Sequence, residues 1–379
     1  MQNIYALQLC QEANYQIVRR NLDKELSSEN LNDLTENEIQ EQKSLSLRQF
    51  EQIKNNPNTS APIQISSEIK TIFDQAGSSK RQQDQRDFDH LLRMMLEQAE
   101  KIYDHGLSIL LLLVNFSDFS REEVEKRHQH SYGTTPNKNS SSLNFADNRV
   151  IQAIKSSSLF NTEVTSKKVS WEQVSVFQWY REILKKDPEY QTYLSLSKTN
   201  YETDLKLVKH ILKNSVFKKG TIYSFLEEHI LNWAEDREII KSMVGKSLKT
   251  IDPDLKNSFH LAPLSYNWDD DKKYFRELFN MTIANNQQYD KLIAKKAKNW
   301  DLNRMAVLDK IIIKMAICEF INFPSIPIKV TINEYIEISK LYSTPKSKIF
   351  VNGIMDVLAG ELGEKGEIRK SGRGLLDNK

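Results

Sequence analysis

The chain has 379 residues, enough for two or three domains of roughly 150 residues each. Its 11 Gly and 9 Pro residues lie well below average usage, which is about 12% for the two together, so long helices are favoured. The 53 basic and 51 acidic residues leave a net charge of +2, so a charged binding patch must be sought locally.

The two cysteines, Cys10 and Cys318, are too far apart in sequence and too few to form a disulfide framework or a thiolate zinc site. The longest apolar run, 107–116, is far shorter than the roughly 20 residues that span a membrane. No basic region followed by an apolar core begins the chain. We therefore expect a cytoplasmic protein that neither is secreted nor spans a membrane.

The first 22 residues predict one amphipathic helix, which we expect to pack with a helical bundle at the C-terminal end. The segment 23–87 is rich in Gln, Asn, Ser and Lys, and its only aromatic residues are Phe50 and Phe73. Such a segment buries too little apolar surface to offset its ordering entropy. We expect a disordered insertion there, with at most a weak helix around 45–53.

Residues 88–265 predict a further helical region. Apolar residues recur at helical spacing from Phe88 towards Phe116 and in several later segments, separated by a polar loop at 128–148. No strand pattern is convincing, and β-branched pieces such as 164–169 are too isolated to build a sheet. The sequence thus predicts an all-α fold.

The region 266–361 carries the clearest helical patterns. A helix begins near 267–271, Met305–Phe320 is apolar almost all round, and two prolines separate it from a third helix ending near Tyr342. Thr344 and Pro345 suit the start of a last helix, in which an interior glycine is tolerable if another backbone packs close to it. Beyond it, 362–379 is expected to be a flexible tail.

Residue patterns for catalysis or metal binding are weak. His128 and His130 lack a third ligand nearby, and the glycines after the last helix do not follow a strand as a dinucleotide-binding turn requires. Carboxylate pairs such as Glu122 and Glu123 suit helix starts and polar faces. We predict no catalytic residue, no metal site and no cofactor.

Local charge indicates binding. Between Lys291 and Lys314 seven basic residues face two acidic ones, a net charge of +5. Lys346 and Lys348 flank the start of the last helix, whose N–H groups favour phosphate, and Phe350 could stack on a base. Lysines on a polar helix face more often serve solubility, and Phe350 lies on an apolar stripe. These residues alone therefore do not establish RNA binding.

The order of four sequence blocks resembles the NusB transcription antitermination family. They are Tyr274 to Leu278, Val307 to Lys310 with Ala316 and Glu319, Pro327 with Val330 to Glu334, and Ser347 with Phe350 to Asp356. The similarity covers Lys272–Gly360 and extends more loosely to Ile4, Tyr5 and Ala6. The middle of the chain resembles the long insertion of some NusB-like proteins.

The resemblance implies a non-catalytic all-α protein that binds boxA-type single-stranded RNA of ribosomal RNA leader transcripts. Its protein partner would be NusE, a ribosomal protein, within the RNA polymerase antitermination complex. Carried over by position, the RNA-binding residues are Lys346, Ser347, Lys348, Phe350 and Lys310. The partner-binding residues are Tyr5 and Asp309. Asn352 and Gly353 are expected to be structural.

Two features depart from the family pattern. Lys346 stands where an acidic residue is expected. NusB-like proteins usually carry an arginine-rich segment ahead of the first helix, whereas this chain starts at Met1 inside that helix. Either the start codon has been assigned downstream of the true one, or this chain binds RNA more weakly than other members of the family, and we expect the former.

Two other functions fit parts of the sequence. A protein-only helical scaffold would use the apolar helices and the insertion for partners alone. An accessory RNA-binding domain related to ribosomal RNA methyltransferases is the other possibility, because NusB-like domains occur fused to such enzymes. The enzyme itself would need a glycine-rich turn after a strand, which the sequence lacks.

Overall fold

The computed structural model describes residues 1–27, 35–54, 56–130, 143–255, 258–296, 305–344 and 347–376. Its described residues contain helices and turns and no strand, so the predicted all-α fold class is confirmed. The helices are α1 Gln2–Glu25, α2 Glu36–Glu51, α3 Ser67–His130, α4 Arg149–Ser156, α5 Ser158–Ser166, α6 Gln173–Trp179, α7 Pro188–Leu194, α8 Tyr201–Ile211, α9 Thr221–His229, α10 Trp233–Leu248, α11 Trp268–Ala284, α12 Asn286–Lys296, α13 Val307–Asn322, α14 Ile328–Tyr342 and α15 Ser347–Glu364.

The chain divides into two compact units. Unit 1 comprises Met1–Leu96 and Asp269–Lys379, and unit 2 comprises Glu97–Trp268. The predicted helical region, 88–265, therefore differs at its start from unit 2. The first part of α3 belongs to unit 1, where Phe88 packs against Phe279 with ring centroids 5.4 Å apart.

Helix α13 forms the centre of unit 1. Every residue from Ile311 to Phe320 is buried, as expected for a helix that is apolar almost all round. Helices α14 and α15 pack against α13 and against each other, and Ile4 and Leu7 of α1 are buried in the same core. The first helix thus supplies one side of this bundle.

The segment expected to be a disordered insertion, 23–87, instead contains α2 and the start of α3. A small core explains this difference: Phe50 stacks on Tyr15 at 5.9 Å between ring centroids and meets Phe73 edge-on at 5.7 Å. Both phenylalanines are buried, and Leu22 and Ile69 join them. The few apolar residues of a polar segment are concentrated in one cluster, which average composition does not reveal.

The expected flexible tail, 362–379, also differs from the structure. Helix α15 continues to Glu364, and the chain then returns to the turn after α13. There the Ser371 N–H donates to the Pro324 carbonyl (2.9 Å), and the Lys370 ammonium donates to the Phe323 carbonyl (3.0 Å). These two carbonyls lie outside the hydrogen bonding of a helix, and the returning chain supplies donors to them.

Unit 2 has its own core, built on the second part of α3. Leu110 and Leu113 are fully buried there, together with Trp233 of α10. A buried carboxylate ties helices together: Asp204 of α8 accepts from the Tyr193 hydroxyl (2.7 Å) and from the Arg149 backbone N–H (3.0 Å). Burial and this carboxylate both raise the pKa of the Tyr193 hydroxyl, in that order of size.

Candidate nucleic-acid interface

The first turn of α15 presents a lysine to solvent. Ser347 begins the helix and is buried, and its hydroxyl lies 2.9 Å from the Thr344 hydroxyl. The Ser347 N–H donates to the Thr344 carbonyl at 2.9 Å, which fixes the entry of the chain into the helix. Lys348 and Ile349 then point outward and are exposed. A cation beside the positive end of a helix favours an anionic ligand such as phosphate.

Phe350 is partly exposed. Its ring packs against the core of unit 1, while Val351, the next residue, is fully buried. The packing of the ring agrees with the expectation of a core position, and base stacking stays a prediction. Stacking requires that part of an aromatic ring be accessible to a base.

Two further residues, Lys346 and Lys310, are predicted to bind RNA. Lys346 lies outside the described residues. Lys310 is partly exposed in the first turn of α13. Its side chain forms no hydrogen bond or ion pair with Ser347, Lys348, Phe350 or any other described residue.

The two predicted partner-binding residues lie on helices that pack against each other, α1 and α13. Tyr5 is 36% exposed, whereas Asp309 is only 3% exposed. Within the described residues, Oδ1 of Asp309 has no hydrogen-bond partner. Leaving a buried carboxylate oxygen unpaired is costly, so this atom is available to a donor.

A contact that sequence reasoning missed brings α1 to the edge of the α15 turn. The Gln2 side-chain amide donates to the Tyr342 hydroxyl at 3.1 Å, and Tyr342 ends α14 just before Thr344. The sequence marks Tyr342 only as the end of a helix and gives no signal for a polar contact to the first helix. The first turn of α1 therefore contacts the end of α14.

A buried carboxylate holds α14 in place. Glu319 of α13 accepts from the Thr331 hydroxyl (2.6 Å) and the Tyr335 hydroxyl (3.3 Å) of α14, and from the Tyr274 hydroxyl of α11. Burial, and secondly the Glu319 carboxylate, raises the pKa of Tyr274 and of Tyr335 well above the ordinary value. These hydroxyls therefore stay protonated and remain donors.

The basic stretch from 291 to 314 is less available than its charge predicts. Lys314 is buried and pairs with Asp290 (2.8 Å) and with the Asn286 side-chain oxygen (2.6 Å). Lys296 pairs with Glu361 of α15. Lys298 and Arg304 lie outside the described residues. At least two of the seven cations thus hold helices together.

The described residues contain no group of three or more His, Cys, Asp or Glu residues that could hold a metal ion. Across the same ranges, no helix combines the length and the apolar character needed to cross a membrane.

Comparison with known proteins relates the C-terminal part of the chain to a family. A sequence model of the NusB family matches residues 262–359, which contain helices α11 to α14 and most of α15. No solved structure matches the chain. The protein is therefore an all-α protein whose C-terminal bundle has the sequence pattern of a transcription factor family.

Three relatives are each named transcription antitermination protein NusB. The chain is 50% identical to that of Chloroherpeton thalassium over 106 residues, 28% of this chain and 50% of the relative. It is 38% identical to that of Salinibacter ruber over 127 residues, 33% of this chain and 79% of the relative. It is 42% identical to that of Koribacter versatilis over 86 residues, 23% of this chain and 59% of the relative.

The chain belongs to the NusB transcription antitermination family, as its resemblance predicts. It spans about half the length of the Chloroherpeton relative. The family model covers none of the helices α1 to α10. Most of unit 2 thus lies outside the family match.

Proposed function

We propose that this chain is a non-catalytic transcription antitermination factor that binds boxA-type single-stranded RNA of ribosomal RNA leader transcripts together with NusE. It acts within the RNA polymerase antitermination complex, in the cytoplasm, and uses no cofactor. Membership of the NusB family supports antitermination. The RNA and the protein partner are carried over from the resemblance.

The first turn of α15 is the observation that carries RNA binding. Lys348 is exposed beside the N-terminal end of an 18-residue helix, and the partly exposed Phe350 follows. Buried Ser347 positions the turn through its hydrogen bonds to Thr344. Phosphate neutralisation by a lysine, next to a ring on which a base stacks, is a common way to bind single-stranded RNA. Lys346 and Lys310 supply further phosphate contacts in this proposal.

The neighbouring helices α1 and α13 form the proposed NusE surface. Tyr5 supplies an exposed aromatic ring, a residue type enriched at protein interfaces. Oδ1 of Asp309 accepts a hydrogen bond from the partner, which supplies the donor that the described residues lack. Because Oδ1 of Asp309 is closed to solvent, binding in this proposal requires the Asp309 side chain to turn outward towards the partner.

Reversing the charge at position 348 tests the RNA site. Lys348→Glu removes one phosphate contact and adds repulsion, so we expect affinity for boxA RNA to fall roughly tenfold and the salt dependence to decrease by about 0.7 in log–log slope. Fluorescence anisotropy with labelled boxA RNA at several salt concentrations measures both quantities.

Lys365→Glu is the matched control, because this exposed lysine follows the opposite end of α15. It changes net charge equally and should leave affinity for boxA RNA near the wild-type value. Unchanged binding in Lys348→Glu would contradict the site. Equal binding of boxA RNA and a scrambled RNA by the wild-type chain would contradict the proposed function.

A further inference from the structure

Helix α8 of unit 2 carries lysines on its exposed side. Lys206, Lys209 and Lys213 are exposed and follow one another at intervals of three and four residues, continuing from α8 into the single π-helical turn Leu212–Val216. Residues at this spacing share one face of a helix. The opposite side is buried in the core through Val208.

Lys218 and Lys219 extend this charge beyond the turn, and both are exposed. We call these five lysines, 206, 209, 213, 218 and 219, the lysine face. No acidic residue occurs between Leu205 and Leu226. Glu202 lies one turn before Lys206 and forms no ion pair with it. Asp187 pairs with His210 (2.9 Å) and with none of these lysines.

The lysine face differs from three cationic side chains of unit 2 that form ion pairs. Arg149 pairs with Asp204, Lys167 with Asp104 and Lys185 with Glu123. By contrast, no side chain of the lysine face forms a hydrogen bond or an ion pair with any residue that the structure describes. Its charge is therefore available to a ligand outside the chain.

The surroundings of the lysine face favour a polyanion over a lipid surface. A helix that lies on a membrane exposes large apolar side chains beside its basic residues. Among the described residues, no large hydrophobic side chain between Leu196 and Leu231 is exposed. The apolar side of α8 is instead used for the core.

The length of the lysine face matches a nucleic-acid backbone. From Lys206 to Lys213 the helix rises about 10 Å. This length corresponds to roughly three nucleotides, because the charges of one strand follow one another every ~3.4 Å along the axis. Lysine neutralises phosphates as a point charge and imposes no base preference.

We infer that the lysine face is a second RNA-binding surface, which holds the phosphate backbone of single-stranded RNA without reading its sequence. The choice of RNA among polyanions rests on the proposed function, whereas the site itself rests on the unpaired charge of unit 2. The surface uses residues outside the family match. It assigns to unit 2 the role of adding affinity for a transcript.

The test uses the full chain and a triple variant, Lys206→Gln, Lys209→Gln and Lys213→Gln. The probe is a short single-stranded RNA of unrelated sequence, titrated between about 50 and 200 mM salt. With three phosphate contacts removed, we expect roughly tenfold weaker binding and a log–log salt slope smaller by about 2. Circular dichroism should be unchanged, since all three side chains are exposed.

The matched control neutralises three exposed lysines of helix α10 and the residue after it: Lys241→Gln, Lys246→Gln and Lys249→Gln. It has the same net charge as the α8 variant and should keep the wild-type salt slope within about 0.5. An equal decrease in both variants would show a general charge effect and would overturn the inference, as would an unchanged slope in the α8 variant.

Two further readouts separate the possible failures. Vesicles containing phosphatidylserine should not bind the chain. If the vesicles bound through the same lysines and RNA did not bind, the assignment of the lysine face to RNA would be overturned. Preference for boxA over unrelated RNA reports on the first turn of α15, whereas the salt slope with unrelated RNA reports on the lysine face. Failure of the proposed function is thus distinguishable from failure of this inference.

Discussion

At the scale of single residues, polar side chains inside an apolar helix decide how unit 1 is held together. The sequence shows four polar exceptions in an otherwise apolar helix: Asp309, Lys310, Lys314 and Glu319. In the structure all but Lys310 are buried, and Lys314 and Glu319 bind groups on neighbouring helices. A buried charge needs such partners, because water no longer solvates it. Lys314 and Glu319 are therefore cross-links between helices.

Removing one donor to Glu319 should destabilise unit 1. Thr331→Val keeps the shape of the side chain but leaves Oε1 of Glu319 without the hydroxyl that lies 2.6 Å away. We expect a loss of about 1–3 kcal/mol in the free energy of unfolding, the cost of an unsatisfied buried acceptor. Urea denaturation followed by circular dichroism measures it.

Ser339→Ala is the control on the same helix. Ser339 is also fully buried, but its hydroxyl has no hydrogen-bond partner among the described residues. Alanine also has the higher helix propensity, so this change should be neutral or slightly stabilising. If Thr331→Val proved as mild as Ser339→Ala, the Glu319 network would contribute little to stability.

At the scale of elements, glycines have opposite roles within α15 and after it. From the sequence, Gly353 in the interior of α15 is tolerable if another backbone packs close to it. Apart from the neighbouring backbone of α15 itself, no described atom lies within 4 Å of a Cβ built there. In the returning chain, a Cβ on Gly374 would lie 2.0 Å from the Pro324 carbonyl oxygen. Close backbone approach thus occurs at Gly374.

Alanine at these two positions should have opposite effects. Gly353→Ala should stabilise the protein by about 0.5–1 kcal/mol, because alanine restricts the unfolded chain and favours the helix. Gly374→Ala should displace the chain around Ser371 from the turn after α13, since a backbone oxygen cannot move aside as a flexible side chain can. Thermal unfolding reports the first effect, and hydrogen exchange of residues 366–376 reports the second.

Either result could contradict this view of α15. A destabilising Gly353→Ala would mean that another group fills the space beside Gly353. Unchanged exchange in Gly374→Ala would mean that the chain after α15 does not depend on its contact with Pro324.

At the scale of the whole molecule, each unit has a separate hydrophobic core. The clusters of unit 1 contain only residues of unit 1, and the cluster around Leu110 contains only residues of unit 2. Cavities in separate cores should therefore act locally, because the atoms that lose contacts belong to one unit.

A pair of matched substitutions tests this separation. Leu110→Ala in unit 2 and Ile312→Ala in unit 1 each truncate a fully buried side chain, at an expected cost of about 2–5 kcal/mol. Hydrogen exchange by mass spectrometry should show faster exchange in α8 and α10 for the first variant, and in α14 and α15 for the second.

The two variants serve as controls for each other. Equal acceleration in both units by either substitution would show that the units unfold as one cooperative body. Such a result would count against treating the two clusters as separate.

The sequence by itself determined the helical class and the family. Few glycines and prolines, together with apolar residues at helical spacing, suffice for the first because helix periodicity is local. Four ordered blocks suffice for the second. The same local pattern predicted the start of α15, where Ser347, Lys348 and Phe350 lie within one turn.

Only the tertiary structure decided which side chains are buried or paired and which are available to bind a ligand. Composition predicted disorder in 23–87, yet Phe50 and Phe73 meet Tyr15 in a core that forms only when distant segments come together. Local charge counted Lys314 as a free cation, yet it is buried against Asp290. Burial and pairing depend on neighbours far along the chain, so a one-dimensional pattern cannot supply them. That is the physical reason why the lysine face emerged from the structure and not from the sequence.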